Sequence, residues 1–476
     1  MKKNIIVVGL DNSNTVTGGA LTIFTDFCNI LSEHYNMIAC ISSPVNNRPW
    51  NLNENVEFAN LNFLYPDKDY NKAFNMLMRK KNPVLVVFFF AFLYNRVDFK
   101  GKFKNIPKIL MLHSRPDVYF YYKDILETLR GKYTNTVTQI LLPSFYELLP
   151  DFIKKGDVVC IPNGIHTINE LNNNVTENKK IIYLSRIDAL KGHKFLIDSF
   201  ALITHKYPHW KLDIYGQSEP PEYEDILKGY VTDLKLQNQI HFCGVTKTPI
   251  ETLKNYDFCV FPSLFEGWGL GMTDAFCVGL PVIGIKYCSA VNELIIDGKN
   301  GLLADNDIYD FALKMEELIN NKELRKKMSK EAYLSSLKYN KKDVYKKWLG
   351  VINAIIKEKE IPYKVCNTNN KSKLIFSIDY ILKVKYKQVL DKIKEYKKFL
   401  KTNEELSKKN IYEYKILNFV SLLKIEKSKK FSQFKILGLP ILKIEKTDNK
   451  HNEYFLFGIP LFKKTEYNRV NIRKAG

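Results

Sequence analysis

The feature that most constrains this chain is a rhythm that stops and restarts. Over the first 350 residues, short apolar β-rich runs alternate with helical patterns. The pattern predicts a strand over 4–10, a helix over 19–33 with apolar positions Leu21, Phe24, Phe27, Ile30 and Leu31, and a strand over 37–42. Further strands are predicted at 84–92, 109–113, 139–143 and 158–161. A polar stretch, 169–180, interrupts. The alternation then resumes with a strand at 181–184, a helix at 194–205, a strand at 211–215, a helix at 223–236, and strands at 240–243, 258–261 and 281–285. Runs that are apolar on both faces fit buried parallel strands. Strand–helix alternation predicts an α/β doubly wound sheet, and its restart predicts two. Two such domains facing each other make a cleft at the carboxyl ends of their strands, where ligands bind.

Charge divides the chain differently. The 476 residues carry a net charge of +21, and residues 358–476, with 28 Lys and Arg against 13 Asp and Glu, hold +15 of it. The body is nearly balanced, which argues against a nucleic-acid binder. With 45% hydrophobic and 26% charged residues, wholesale disorder is excluded. The tail has its own patterns. Ile375, Ile378, Leu382, Tyr386, Val389, Ile393, Tyr396 and Leu400 follow heptad spacing and predict a lysine-flanked amphipathic helix within 358–410. In 411–476, Phe434-Lys-Ile-Leu-Gly-Leu-Pro-Ile-Leu-Lys443 is echoed twenty residues later by Tyr454-Phe-Leu-Phe-Gly-Ile-Pro-Leu-Phe-Lys463, after a degenerate copy from Tyr414 to Lys424. Each copy predicts two short strands around a Gly-x-Pro turn.

The apolar run at the amino terminus is too short for a signal-peptide core, and the longest one, Val84–Tyr94, falls short of the ~20 residues of a membrane helix. The eight cysteines form no CxxC pair. They read as reduced thiols of a cytoplasmic protein, with no metal site.

Chemistry concentrates in Phe261-Pro-Ser-Leu-Phe-Glu-Gly-Trp-Gly-Leu-Gly-Met-Thr-Asp-Ala275. A strand ends, a loop carries Glu266, and Gly267, Gly269 and Gly271 allow close backbone approach. A helix starting near Leu270 points free N–H groups into the cleft, and Asp274 sits one turn inside it. The plainer reading is a glycine-rich packing turn. In Ser185-Arg-Ile-Asp-Ala-Leu-Lys-Gly192, Arg186 and Lys191 follow a strand and suit a diphosphate, or are solvated surface charges. Gly18 and Gly19 open the first helix and can present N–H groups to a phosphate, or form a bland turn. His113 ends a predicted strand and is an acid/base or hydrogen-bonding candidate, or a structural histidine.

Taken together, these residues resemble the family 4 glycosyltransferases of GT-B fold, over residues 1 to about 350. The resemblance also rests on Ile161-Pro-Asn-Gly-Ile165, Ile214-Tyr-Gly216, Phe242-Cys-Gly244, Asn292-Glu-Leu-Ile-Ile-Asp-Gly298 and Asn300-Gly-Leu-Leu303. It implies a Rossmann-like acceptor domain over 1–166, a nucleotide-sugar domain over 167–340, and a helix, 341–357, returning to the first domain. It implies a retaining transferase that uses a nucleotide-diphosphate sugar and needs neither metal nor other cofactor. Arg186 and Lys191 match the family's diphosphate-binding pair, and Glu266 the first acid of its Glu-x7-Glu motif, which holds the donor sugar. The backbone of Gly269, Leu270 and Gly271 matches the sugar and phosphate contacts, and His113 the acceptor-domain histidine. Asp274 stands where the family has a ribose-binding Glu; its reach is shorter by about 1.5 Å.

The implied acceptor is a glycan or lipid-linked oligosaccharide of bacterial surface polysaccharide synthesis. A rival reading, a GT-B-shaped binding or scaffold protein with a decayed site, has Asp274 as its one support, and intact Arg186, Lys191 and Glu266 weigh against it. The basic tail is expected to bring the enzyme to the anionic cytoplasmic face of the inner membrane, or to make a homo-oligomer through its heptad seam.

Overall fold

The computed structural model describes residues 2–9, 19–42, 48–49, 51–64, 69–116, 119, 123–168, 170–171 and 177–365, and five tail strands between 424 and 465. The chain divides into two compact units, 1–380 and 381–476.

The first unit holds two parallel sheets. One consists of β1 (Asn4–Val8), β2 (Asn36–Ile41), β3 (Glu57–Asn60), β4 (Leu85–Phe88), β5 (Lys108–Met111), β6 (Thr136–Ile140) and β7 (Asp157–Cys160), in the order β3-β2-β1-β4-β5-β6-β7. The other consists of β8 (Lys180–Leu184), β9 (Lys211–Tyr215), β10 (Ile240–Gly244), β11 (Phe258–Phe261), β12 (Val282–Ile285) and β13 (Gly301–Ala304), in the order β10-β9-β8-β11-β12-β13. Ile6 of β1 pairs with both Ile38 and Val86, and Ile182 of β8 with both Asp213 and Cys259. The strand order therefore reverses between β1 and β4 and between β8 and β11. In open α/β sheets ligands bind beyond the carboxyl ends of the strands at such reversals. The strands form because both of their faces are covered: Ile5–Val8 and Leu85–Phe88 have no exposed surface.

Three elements differ from the sequence reading in ways that matter. The strand expected over 109–113 ends at Met111, so His113 lies two residues past it, in the loop. The strand expected over 139–143 is β6, Thr136–Ile140; its polar start, with Thr138 fully buried, hid it from an apolar count. The polar edge strand β3 was likewise not visible as an apolar run.

The helix Lys341–Ile356 follows the second sheet in sequence but packs on the first. Val344, Tyr345, Trp348, Val351 and Ile352 join one core with Phe24, Phe27 and Val87. Their spacing is one helical stripe. Trp348 meets Phe27 edge-on, ring centroids 5.3 Å apart at 86°. Beyond this helix the chain turns and Lys364 pairs antiparallel with Val159 of β7. The Val365 N–H donates to Val158 at 2.9 Å, and Lys364 pairs with Asp157 at 2.8 Å. Residues 358–365 are thus a turn and an edge pairing rather than the start of the expected helix; the seam 375–400 lies outside the described residues.

In the second unit, β14 (Lys424–Lys427), β15 (Phe431–Ile436), β16 (Leu439–Lys446), β17 (His451–Leu456) and β18 (Ile459–Thr465) form an antiparallel meander in chain order. The two full repeats are hairpins with the same register, Ile436 opposite Leu439 and Leu456 opposite Ile459. One point corrects the expectation. Pro440 and Pro460 stand in the returning strands, opposite Lys435 and Phe455, where the register slips in both hairpins. A proline cannot donate to the ladder, so an irregularity is where a strand accommodates it.

Among the described residues no helix is long and apolar enough to cross a membrane. Cys28, Cys40, Cys259, Cys277 and Cys288 are buried free thiols, and Cys243 is exposed.

Candidate active site

The site is assembled at the two strand-order reversals. After β8 the chain runs through Arg186 into a short 3₁₀ turn, Ala189–Lys191, capped by Asp188, whose carboxylate accepts from the Leu190 N–H at 2.8 Å. Gly192 follows with φ +72°, and a Cβ there would lie 2.3 Å from the Pro262 carbonyl oxygen. Only glycine lets this turn sit so tightly on the loop after β11. The close approach brings Lys191 to Glu266, Nζ to Oε1 at 2.5 Å, with the side chains 15% and 8% exposed. A carboxylate this buried is tolerable because a cation meets it.

Arg186 does not join that pair. Its Nε donates to Asp188 at 2.9 Å and its Nη1 to Glu219 at 2.8 Å, at a more exposed position. Gly269, φ +86°, caps the helix Leu270–Cys277, so that helix and its unpaired first N–H groups begin three residues after Glu266, on the same loop. Across the cleft, the helix Gly19–Leu31 begins against the side chain of Leu270, where a Cβ on Gly19 would lie 2.4 Å from Cδ1. Gly18 lies outside the described residues.

The first domain supplies His113. Its ring stacks on Phe89 with centroids 3.9 Å apart, and its Nε2 is buried with no hydrogen-bond partner. Burial drives its pKa down to about 3, against the hydrogen bond the ring makes to the Asn163 side chain. The imidazole is therefore neutral at any working pH, which suits hydrogen bonding rather than proton delivery. Gly267 touches this segment directly: a Cβ on it would lie 2.4 Å from the His113 carbonyl oxygen. Asp274 is partly buried on the helix Leu270–Cys277, and burial lifts its carboxyl to about 7, against the pull of Lys341. Lys341 in turn pairs with Asp26 at 2.7 Å and contacts His166 Nε2 at 2.6 Å.

The geometry thus groups Lys191, Glu266, Gly267, Gly269–Gly271, Gly19 and His113 at one cleft, with Arg186 at its exposed side and Asp274 one helical turn inward. Sequence reasoning missed Asp188 and Glu219, which hold Arg186, and Arg115, a fully buried cation beside the Glu266 loop. Arg115 stands two residues after His113 at the same strand end, the signal that could have exposed it. No group of three or more metal-ligating side chains occurs among the described residues.

Two facing doubly wound domains with charged residues at their reversal points make up the GT-B fold. Residues 166–335 match the family described as Glycosyl transferases group 1. The chain is similar to the poly(glycerol-phosphate) alpha-glucosyltransferase of Bacillus subtilis, 26% identical over 55% of this chain and 43% of the relative. It is also similar to the poly(ribitol-phosphate) alpha-N-acetylglucosaminyltransferase of Staphylococcus aureus, 29% identical over 37% of this chain and 36% of that protein. The alignments therefore span less than half the length of either relative. In structure it resembles a mutant of S. aureus TarM in complex with fondaparinux, alpha-GlcNAc-glycerol and UDP, with a TM-score of 0.60 at 15% identity, over 73% of this chain and 99% of that one. Anabaena HepE in complex with UDP and glucose gives 0.59 at 16% identity, over 74% and 100%.

Proposed function

We propose that this protein transfers a sugar, with retention of configuration, from a nucleotide-diphosphate sugar to a hydroxyl of a surface glycopolymer or lipid-linked glycan. The observation that carries this reading is the buried Lys191–Glu266 pair just before the helix Leu270–Cys277, on a loop whose Gly267 packs against the backbone of His113 in the other domain.

Breaking the bond between sugar carbon and phosphate leaves negative charge on the diphosphate. Lys191, largely buried, and the helix N–H groups are donors for that charge where water is mostly excluded and they act most strongly, and Arg186 adds a cation from the exposed side. Arg186 reaches the diphosphate by exchanging Glu219 for phosphate oxygens, an easy exchange because that ion pair is half exposed. Glu266, held by Lys191, accepts from sugar hydroxyls, and neutral His113 offers Nε2 to the sugar on the acceptor side. Lys191, Arg186 and the helix N–H groups counter the leaving anion, so the reading includes no metal and no further cofactor.

The decisive experiment incubates the protein with a panel of nucleotide sugars and detects released nucleoside diphosphate, with and without a chelator. Poly(glycerol phosphate), poly(ribitol phosphate) and undecaprenyl-diphosphate-linked glycans serve as acceptors. Turnover unaffected by the chelator is expected. Binding of UDP with no turnover of any donor would favour the decayed-site scaffold instead.

Asp274 supplies a pH signature. As pH falls from 8 to 6, a carboxyl with a pKa of about 7 takes up its proton and can no longer accept from two ribose hydroxyls. UDP affinity should weaken over that interval in the native protein. Calorimetric titration of Asp274→Asn should show that part of the pH dependence gone, and Asp274→Glu should bind at least as well as the native protein. An identical pH dependence in Asp274→Asn would remove Asp274 from the ribose site.

For the tail, the proposal is peripheral contact with an anionic membrane surface on the cytoplasmic side, carried by its +15 net charge. Because Ile361 belongs to the core and residues 363–365 pair with β7, the informative truncation falls after Val365. That form should keep its turnover and lose salt-sensitive sedimentation with anionic vesicles. A full chain that is dimeric but binds no vesicles would make the tail an oligomer interface.

A further inference from the structure

Arg115 has no part in the reading above, although it is 1% exposed and among the largest fully buried side chains of the protein. It leaves the first sheet just after His113 and crosses to the second domain. Its guanidinium lies 5.2 Å from the centre of the Phe265 ring, and its Nη1 reaches Ser289 Oγ at 3.4 Å. Phe265 is the residue before Glu266, so the cation rests on the loop that carries the donor-site carboxylate.

Two further contacts lock the same seam. Gly267 sits on the backbone of His113 and Ser114, with room for no Cβ. Ser144 of the first domain donates to Glu293 of the second. The loop that presents Ser289 to Arg115 ends in Ala290, buried and held at φ +70°. A non-glycine residue keeps that conformation only where its surroundings over-determine it.

We propose that Arg115 is a positioning residue: it seats the Phe265–Gly267 loop so that Glu266 meets Lys191, and thereby couples the placement of the first domain to the donor site of the second. The inference rests on the transferase reading of that site. In this role Arg115 acts through Phe265 and Ser289. Its cation stacks on a ring and its N–H donates, a combination that lysine reproduces only in part and methionine reproduces not at all.

The test compares Arg115→Met, Arg115→Lys and Ser289→Ala with the native full-length chain. Three readouts are needed: kcat with saturating donor and acceptor, the Kd of UDP by calorimetry, and amide hydrogen exchange of residues 264–269. In Arg115→Met, kcat should fall by about 100-fold, the cost of a small misplacement of a reacting group. Exchange of the loop should rise by about tenfold while the core strands stay protected. The UDP Kd should move by less than about threefold, because the diphosphate contacts remain. Arg115→Lys should recover part of kcat, and Ser289→Ala should lose a few-fold. Loop exchange equal to the native value in both Arg115→Met and Ser289→Ala overturns the proposal, as does a kcat within threefold of native in Arg115→Met. If Arg115→Met does not fold, loop exchange in Arg115→Lys and Ser289→Ala decides: a native value in both overturns the proposal. Should the native chain turn over no nucleotide sugar, the transferase reading fails, and loop exchange still decides whether Arg115 positions the loop.

Discussion

Lys191→Met and Glu266→Gln each reduce turnover by about 10²–10³-fold, and combining them restores stability without restoring activity. This expected dissociation follows from the burial of the pair. Removing one partner leaves the other charge in an apolar setting, which costs about 3–5 kcal/mol. Each single variant should therefore melt earlier as well as turn over slowly. The double variant leaves no uncompensated charge, so its midpoint of urea unfolding should return toward the native value. Its turnover should not return, because the leaving diphosphate has lost a fixed cation and the donor sugar a carboxylate. Unfolding curves alongside kcat at a temperature where all forms are folded provide the comparison. Turnover in the double variant within tenfold of native would make the pair a structural device and would remove both residues from the donor site.

Trp348→Ala destabilises the first unit by about 3–5 kcal/mol, the usual cost of emptying a buried aromatic site. Trp348 is 3% exposed and meets Phe27, itself fully buried, in an edge-to-face contact. The loss is felt beyond its own helix. The helix Lys341–Ile356 follows the second sheet in the chain and packs on the first, so it ties the unfolding of one domain to that of the other. Urea unfolding followed by circular dichroism should show a large drop in midpoint. A change below about 1 kcal/mol would mean that this helix is not docked in solution.

The doubly wound architecture was legible because buried parallel strands must be apolar on both faces and their crossovers must be amphipathic. The runs at 181–184, 211–215 and 258–261 were read with little or no error for that reason. β3 and β6 were harder. Glu57–Asn60 is an edge strand, and β6 opens with threonines, so neither presents an apolar run. In the tail, the twenty-residue repeat announced hairpins, but placing proline in the turn followed local preference. The backbone instead absorbed Pro440 and Pro460 at a slip in register.

The site divides along the same line. Glu266, Gly269 and Gly271 were readable because a strand end, a loop acid, permissive glycines and a helix start are consecutive in sequence, and their chemistry is local. Arg186 and Lys191 were readable as cations after a strand, but not as partners of different carboxylates. By itself the sequence determined two doubly wound sheets, the cleft between them and the residues at its strand ends, since periodicity and turn chemistry act over a few residues. Only the tertiary structure decided that Lys191 meets Glu266 75 residues away, that burial keeps His113 neutral, and that Arg115 reaches Ser289 174 residues on. Charge pairing and desolvation depend on distance and on excluded water, and neither is a property of neighbours along a chain.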